Sequence, residues 1–185
     1  GAIFMVYVLL AEGFELVEAM APVDILRRAK VEVKTVGVTG KTVSSSNGVP
    51  ITADLEISET TADGLHCVIL PGGLPGTLNL EKSPKVQELI DFCTREGKLL
   101  GAICAAPSIL AHKGLLKGRE ATAFPSFQKD VTEGGGELSD SFVVRDGQFI
   151  TARGMGVSTR FGLALAAALT TPETAAEIQA GIQFA

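Results

Sequence analysis

Ala102-Ile103-Cys104-Ala105-Ala106 sets one thiol among small residues, in the small-x-nucleophile-x-small form of a nucleophile elbow. Small neighbours are needed because a sharp strand-to-helix turn crowds the backbone around an exposed side chain. A thiol there faces a helix N-terminus, whose unpaired N–H groups favour the thiolate. The amide of Ala105 is placed to stabilise an oxyanion. The plainer alternative is a small buried Cys capping a core strand. That alternative is the reading given to Cys67 and Cys93, one in an apolar strand and one on an apolar helix face.

Glu15 and Glu18 stand three apart, which puts both on one side of a first helical turn. Pro22 has no N–H for the Glu18 carbonyl, so the helix is expected to kink or start irregularly there. Glu15 reads as a solvated acid that complements the helix dipole. Glu18 reads either that way or as a pocket acid. Within hydrogen-bond reach of Cys104 it would share one proton with the thiol near neutrality, with the anion on sulfur and a raised carboxyl pKa.

Pro71-Gly72-Gly73-Leu74-Pro75-Gly76 brings bare backbone close to a ligand, and its amides can hold a carbonyl or carboxylate oxygen. It is too short for a phosphate-binding P-loop and lacks the Lys-Ser/Thr. Arg153-Gly154-Met155-Gly156 reads as a cap on the sheet in preference to an anion site. His66 begins a core strand, His112 lies past the elbow pointing away from the strand ends, and loop position 124 is Phe. With no base for Cys104 among the histidines, a Cys-His-Asp hydrolase is poorly supported.

These residues need a scaffold that gathers strand ends, and the hydrophobic pattern supplies one. Ile3 to Leu10 is a continuous apolar run, as in a strand covered on both faces. Leu16, Met20, Val23 and Leu26 repeat at helical spacing over about residues 15–29. Val31 to Val38, His66 to Leu70 and Lys98 to Ile103 read as further strands, the last ending at Cys104. Asn47-Gly48 and Asp146-Gly147 turn hairpins, from Thr42–Ser46 to Val49–Ala53 and from Phe142–Arg145 to Gln148–Thr151. Ser83-Pro84 caps a helix that stops at Gly97. Ala106 to Ala111, Ser158 to Leu169 and Thr171-Pro172 onward are helical. Alternating strands and helices imply a mostly parallel sheet with right-handed crossovers, in a three-layer α/β sandwich. Ligands in such folds bind beyond the carboxyl ends of the strands, where Glu18, Gly72, Gly73 and Cys104 all fall.

The chain has 185 residues, 46% hydrophobic, and suits one domain over 1–185. A net charge of −5 without a basic stripe argues against nucleic acid and anionic membrane as partners. No apolar run has the ~20 residues of a membrane span. No basic segment precedes the first strand as in a secretory signal. Three cysteines without a CxxC indicate free thiols in a reducing compartment, and the expected location is cytoplasmic. Three scattered Cys and two His make a poor zinc site, so no metal is expected.

Glu15 through Glu18, Pro22-Val23-Asp24 with Arg27-Arg28-Ala29, Val68-Ile69-Leu70-Pro71-Gly72-Gly73 and Ala102-Ile103-Cys104-Ala105-Ala106-Pro107 resemble the ThiJ/PfpI superfamily. The match is nearest its Parkinsonism-associated deglycase branch and runs nearly end to end. The resemblance implies a flavodoxin-like α/β/α sandwich with the elbow shared by class I glutamine amidotransferases, and a homodimer. It implies a Cys104–Glu18 active site with Gly72, Gly73 and Ala105 as the oxyanion backbone and Glu15, Phe124 and Met155 as pocket candidates. Members with proposed protease activity carry His directly after the nucleophile, where this chain has Ala105. Amidotransferases need a late His-x-Glu pair, and no His follows residue 112. Some branch members have His where Phe124 stands, and the last loop commonly reads Arg-Gly-Pro-Gly-Thr against Arg153 to Val157 here.

The implied activity is a cofactor-independent conversion of a small-molecule carbonyl substrate, a 2-oxoaldehyde or its early protein adduct. That is a glyoxalase III or deglycase reaction, such as methylglyoxal to lactate. The competing reading is a redox-responsive stress or chaperone protein in which Cys104 is oxidised to a sulfinate. A thiamine-related role has no phosphate-binding motif behind it.

Overall fold

The computed structural model describes residues 4–185, so Ile3 of the first expected strand lies outside the described residues. In β1, Met5–Leu10, every residue after the first is buried, which requires cover on both faces of the strand. Val6, Val8 and Leu10 face one helix layer, and Tyr7 and Leu9 face the other. After β1 the chain forms α1 (Leu16–Arg28), β2 (Glu32–Gly37), the hairpin β3 (Thr42–Ser44) and β4 (Pro50–Thr52), and β5 (Leu55–Glu56). Next come β6 (Leu65–Leu70), α2 (Gly76–Glu81), α3 (Pro84–Arg95), β7 (Leu99–Ile103) and α4 (Pro107–His112). The remainder is β8 (Glu120–Ala121), α5 (Gln128–Glu133), β9 (Glu137–Leu138), β10 (Val143–Asp146), β11 (Phe149–Ala152), α6 (Ser158–Leu169) and α7 (Pro172–Gly181).

Seven strands make the central sheet in the order β10-β11-β7-β6-β1-β2-β5. All neighbours are parallel except the edge pair β10 and β11, joined by the Asp146-Gly147 turn. Helices α1, α6 and α7 cover one face, and residues of α2 to α5 cover the other. The architecture is the three-layer sandwich expected from the alternation of elements, in the flavodoxin-like form that the resemblance implies. Strand order reverses direction on either side of β1 and β6, which opens a crevice at their carboxyl ends. Among the described residues no helix is long and apolar enough to cross a membrane.

The structure adds elements the periodicity did not reveal. β5, β8 and β9 are two residues each, too short to show an alternation. α2 and α5 are single six-residue helices within segments rich in polar residues and glycine. α1 runs as one helix from Leu16 to Arg28 with Pro22 buried inside it. Glu15 stands before that helix as its N-cap, and its carboxylate accepts the Glu18 amide at 2.7 Å.

Candidate active site

Cys104 follows β7 with φ of 65°, a left-handed conformation that costs a non-glycine residue about 1–3 kcal/mol. Two backbone bonds hold it there. Its amide donates to the Ala152 carbonyl at 2.8 Å, and its carbonyl accepts the Phe124 amide at 2.8 Å. Two further amides, of Ala105 and Gly73, donate to the sulfur. The thiol is partly exposed, whereas Cys67 and Cys93 are fully buried in the two apolar layers.

Glu18 is wholly buried one turn into α1. Its Oε1 accepts the Gly72 amide at 3.0 Å, while Oε2 is buried without a nitrogen or oxygen partner. Its remaining partner is the Cys104 thiol, side chain to side chain. Burial, then the nearby Glu15 carboxylate, pushes the Glu18 carboxyl up to about 7. Burial, then the charge of Glu18 and the hydrogen bond to it, pushes the Cys104 thiol up to about 12. The amides of Ala105 and Gly73 oppose that rise without reversing it.

Burial and the Glu18 carboxyl thus oppose the low-pKa thiolate expected at the elbow. α4 is only six residues long and begins on Pro107, so its first turn lacks one of the N–H groups that would stabilise a thiolate. The shared-proton expectation keeps its form. The first proton leaves the pair near pH 7, and the carboxyl and the thiol share the one that remains.

Gly72 is corrected in role as well. Its amide is committed to Glu18, so it is not an oxyanion donor, and its carbonyl accepts the Glu15 amide at 3.0 Å. What matters at this position is the missing side chain. A Cβ there would lie 2.7 Å from Cys104 Cβ, 2.7 Å from Glu18 Oε1 and 2.8 Å from the Ile103 carbonyl. Gly73 has φ of 89° and packs against the backbone of Gly13 to Glu15, which aims its amide at the sulfur. Gly72→Ala is expected to force Cys104 and Glu18 apart. Displacement on that scale costs about a hundredfold in kcat/KM, and overpacking lowers the thermal midpoint by about 3–10 °C. An alanine variant with wild-type kinetics would refute this account of Gly72.

The other sequence candidates fall around this centre. Glu15 is tied to this centre, its carboxylate accepting the Glu18 amide and its charge raising the Glu18 pKa. Phe124 and Met155 line an adjacent apolar groove with Phe142, Arg153 and Val157. Arg153 is the cap expected of it: Nε reaches Thr122 Oγ1 at 3.3 Å and Nη2 the Asp140 carbonyl at 3.3 Å. His112 is remote from the thiol and bonds Glu81 at 2.6 Å and Asp130 at 2.7 Å, which raise its pKa. Phe142 was missed because its position before a hairpin strand reads as sheet packing.

A nucleophile, one acid/base and two aligned amides suffice for addition to an electrophilic carbonyl. The arrangement offers Glu18 as acceptor for the thiol proton, and the amides of Gly73 and Ala105 as donors at the sulfur.

A family model described as the DJ-1/PfpI family matches residues 5–168. Protein dj-1beta of Drosophila melanogaster is 35% identical over 179 residues, covering 96% of each chain. The glutathione-independent glyoxalase DJR-1.2 of Caenorhabditis elegans is 31% identical over 88% of this chain and 86% of that one. A deglycase of Pyrococcus abyssi is 31% identical, with coverage of 80% and 89%. The crystal structure of Drosophila melanogaster DJ-1beta matches with a TM-score of 0.93 at 34% identity, over 98% of both chains.

Proposed function

The chain belongs to the DJ-1/PfpI family, and within it we propose a cofactor-independent cysteine enzyme that converts 2-oxoaldehydes, free or as early protein adducts, to 2-hydroxy acids. The observation that carries this reading is the buried Glu18 carboxyl, poised near 7 against the Cys104 thiol. A base tuned to neutral pH beside a nucleophile is what the chemistry requires. Relatives named as a glyoxalase and as a deglycase support the same reaction class.

In this reaction the Cys104 sulfur bonds to the aldehyde carbon as its proton goes to Glu18, and Glu18 passes that proton on to the carbonyl oxygen, giving a hemithioacetal and a free carboxylate. The Glu18 carboxylate then takes the hydrogen from that carbon as a proton and returns it to the neighbouring carbon. The product is a 2-hydroxy thioester, and water cleaves its carbon–sulfur bond to release the hydroxy acid and restore the thiol. No net oxidation occurs, since the aldehyde carbon is oxidised as the ketone carbon is reduced.

Purified protein incubated with methylglyoxal, without glutathione or metal, should release lactate in steady turnover. No lactate, together with stoichiometric peroxide oxidation of Cys104 to a sulfinate, would favour the redox reading instead. The homodimer forms part of the proposal: Val17 in the first turn of α1 and Val49 beside β4 are exposed apolar residues. Light scattering at micromolar concentration should give twice the one-chain mass of 19.2 kDa, and a one-chain mass would refute it.

A further inference from the structure

Phe124, Phe142 and Met155 are all large apolar side chains about half exposed, at 45%, 51% and 53%. They are also neighbours, forming with Val157 and Arg153 a single groove of about 600 Å³. That volume lies within the range of small-molecule sites. Exposed apolar surface gathered in one concavity signals a binding function, whereas scattered exposed residues do not. The groove is held in shape: the Arg153 guanidinium sits 4.4 Å from the Phe142 ring centroid and is itself tied to Thr122 and Asp140.

Its position is set by Cys104. The Cys104 carbonyl is bonded to the amide of Phe124, which forms one wall. The Cys104 amide is bonded to Ala152, the residue before Arg153, which forms the other. The groove is thus tied by backbone hydrogen bonds on two sides to the residue that carries the sulfur, although the thiol is not itself part of the lining.

Resting on the proposed reaction, we propose that the groove receives the substituent on the ketone carbon of the 2-oxoaldehyde, and that it selects aryl and bulky alkyl groups over methyl. A methyl group can cover little of this exposed apolar surface, whereas a phenyl ring buries several times more of it. Each added methylene-sized contact in an apolar pocket is worth roughly tenfold or more in kcat/KM. Phe124, Phe142 and Met155 are then specificity-determining residues. They do not touch the reacting atoms.

The kinetic test compares phenylglyoxal with methylglyoxal. The wild-type ratio of kcat/KM should favour phenylglyoxal by at least about tenfold, and Met155→Ser or Phe142→Ser should each lower that ratio several-fold. Met155 is exposed, so its variant folds whatever the effect of the other. A second arm does not depend on turnover. Cys104 alkylation by 2-bromoacetophenone and by bromoacetone forms the same sulfur–carbon bond and expels the same bromide, with the thiol proton passing to Glu18. The aryl reagent should react at least about tenfold faster relative to its rate with free cysteine, and both variants should erase the difference. An alkylation preference without turnover of either aldehyde would support the groove and sink the reaction. Equal rates in wild type, or variants that alter oligomer mass and leave both ratios fixed, would overturn the inference and leave a second copy of the chain as the groove's occupant.

Discussion

Cys104→Ser is expected to abolish lactate release, lowering kcat by at least about a thousandfold, while the fold survives. The physical basis is the gap between thiol and hydroxyl acidity. A Glu18 carboxylate near 7 can take a proton from a thiol as it attacks, but it is far too weak a base for a serine hydroxyl. Serine is nearly isosteric and retains acceptor sites for the Ala105 and Gly73 amides that now hold the sulfur. The position is partly exposed, so no apolar cavity opens. The thermal midpoint should accordingly move by no more than about 4 °C, roughly 1 kcal/mol in a chain of this size. A loss beyond about 8 °C would show a structural thiol, and retained turnover would remove sulfur from the reaction.

Glu18→Gln is expected to separate function from stability in opposite directions. Glutamine keeps the oxygen that accepts the Gly72 amide, so the site should hold its shape. It cannot accept the thiol proton or move one between carbons, and turnover should fall by at least about a hundredfold. In the wild type, kcat/KM and Cys104 alkylation should both rise with pH through an inflection near 7, as the pair loses its first proton. The variant should lose that inflection and alkylate as a lone buried thiol at higher pH. An unchanged alkylation profile would dismiss the pair from the mechanism.

The stability arm has a definite sign. The folded Glu18 pKa is raised from 4.5 to about 7, so the folded state holds this proton more tightly than the unfolded chain. Its contribution is fully present below about pH 4.5 and is lost as pH rises to 7. Above that, the buried carboxylate costs up to about 3 kcal/mol, which glutamine does not incur. Glu18→Gln should therefore be more stable than wild type at pH 8, with the advantage shrinking toward pH 4.5. A variant less stable at pH 8 would mean the charged form is compensated within the fold.

The features legible in the sequence are those set by neighbours along the chain. The buried run of β1, the 3.6-residue repeat of α1 and α3, the Asn47-Gly48 and Asp146-Gly147 turns and the Ser83 cap are each short-range rules of backbone and burial. Their alternation determined the sandwich, and the sandwich placed Glu18, Gly73 and Cys104 at one edge of the sheet. The small residues at 102, 105 and 106 marked the elbow because a sharp turn, here with φ of 65° at Cys104, crowds the backbone around it. The features that tertiary structure decided are those set by residues far apart in the chain. Gly72 lies 54 positions from Glu18, and only the folded contact shows its amide spent on that carboxylate. The two-residue strands exist because a neighbouring strand pairs with them, since two residues carry no period of their own. Above all, the upward push on both carboxyl and thiol follows from how deeply each is buried and which charges face it. Those quantities have no value until β1, β6 and β7 stand side by side.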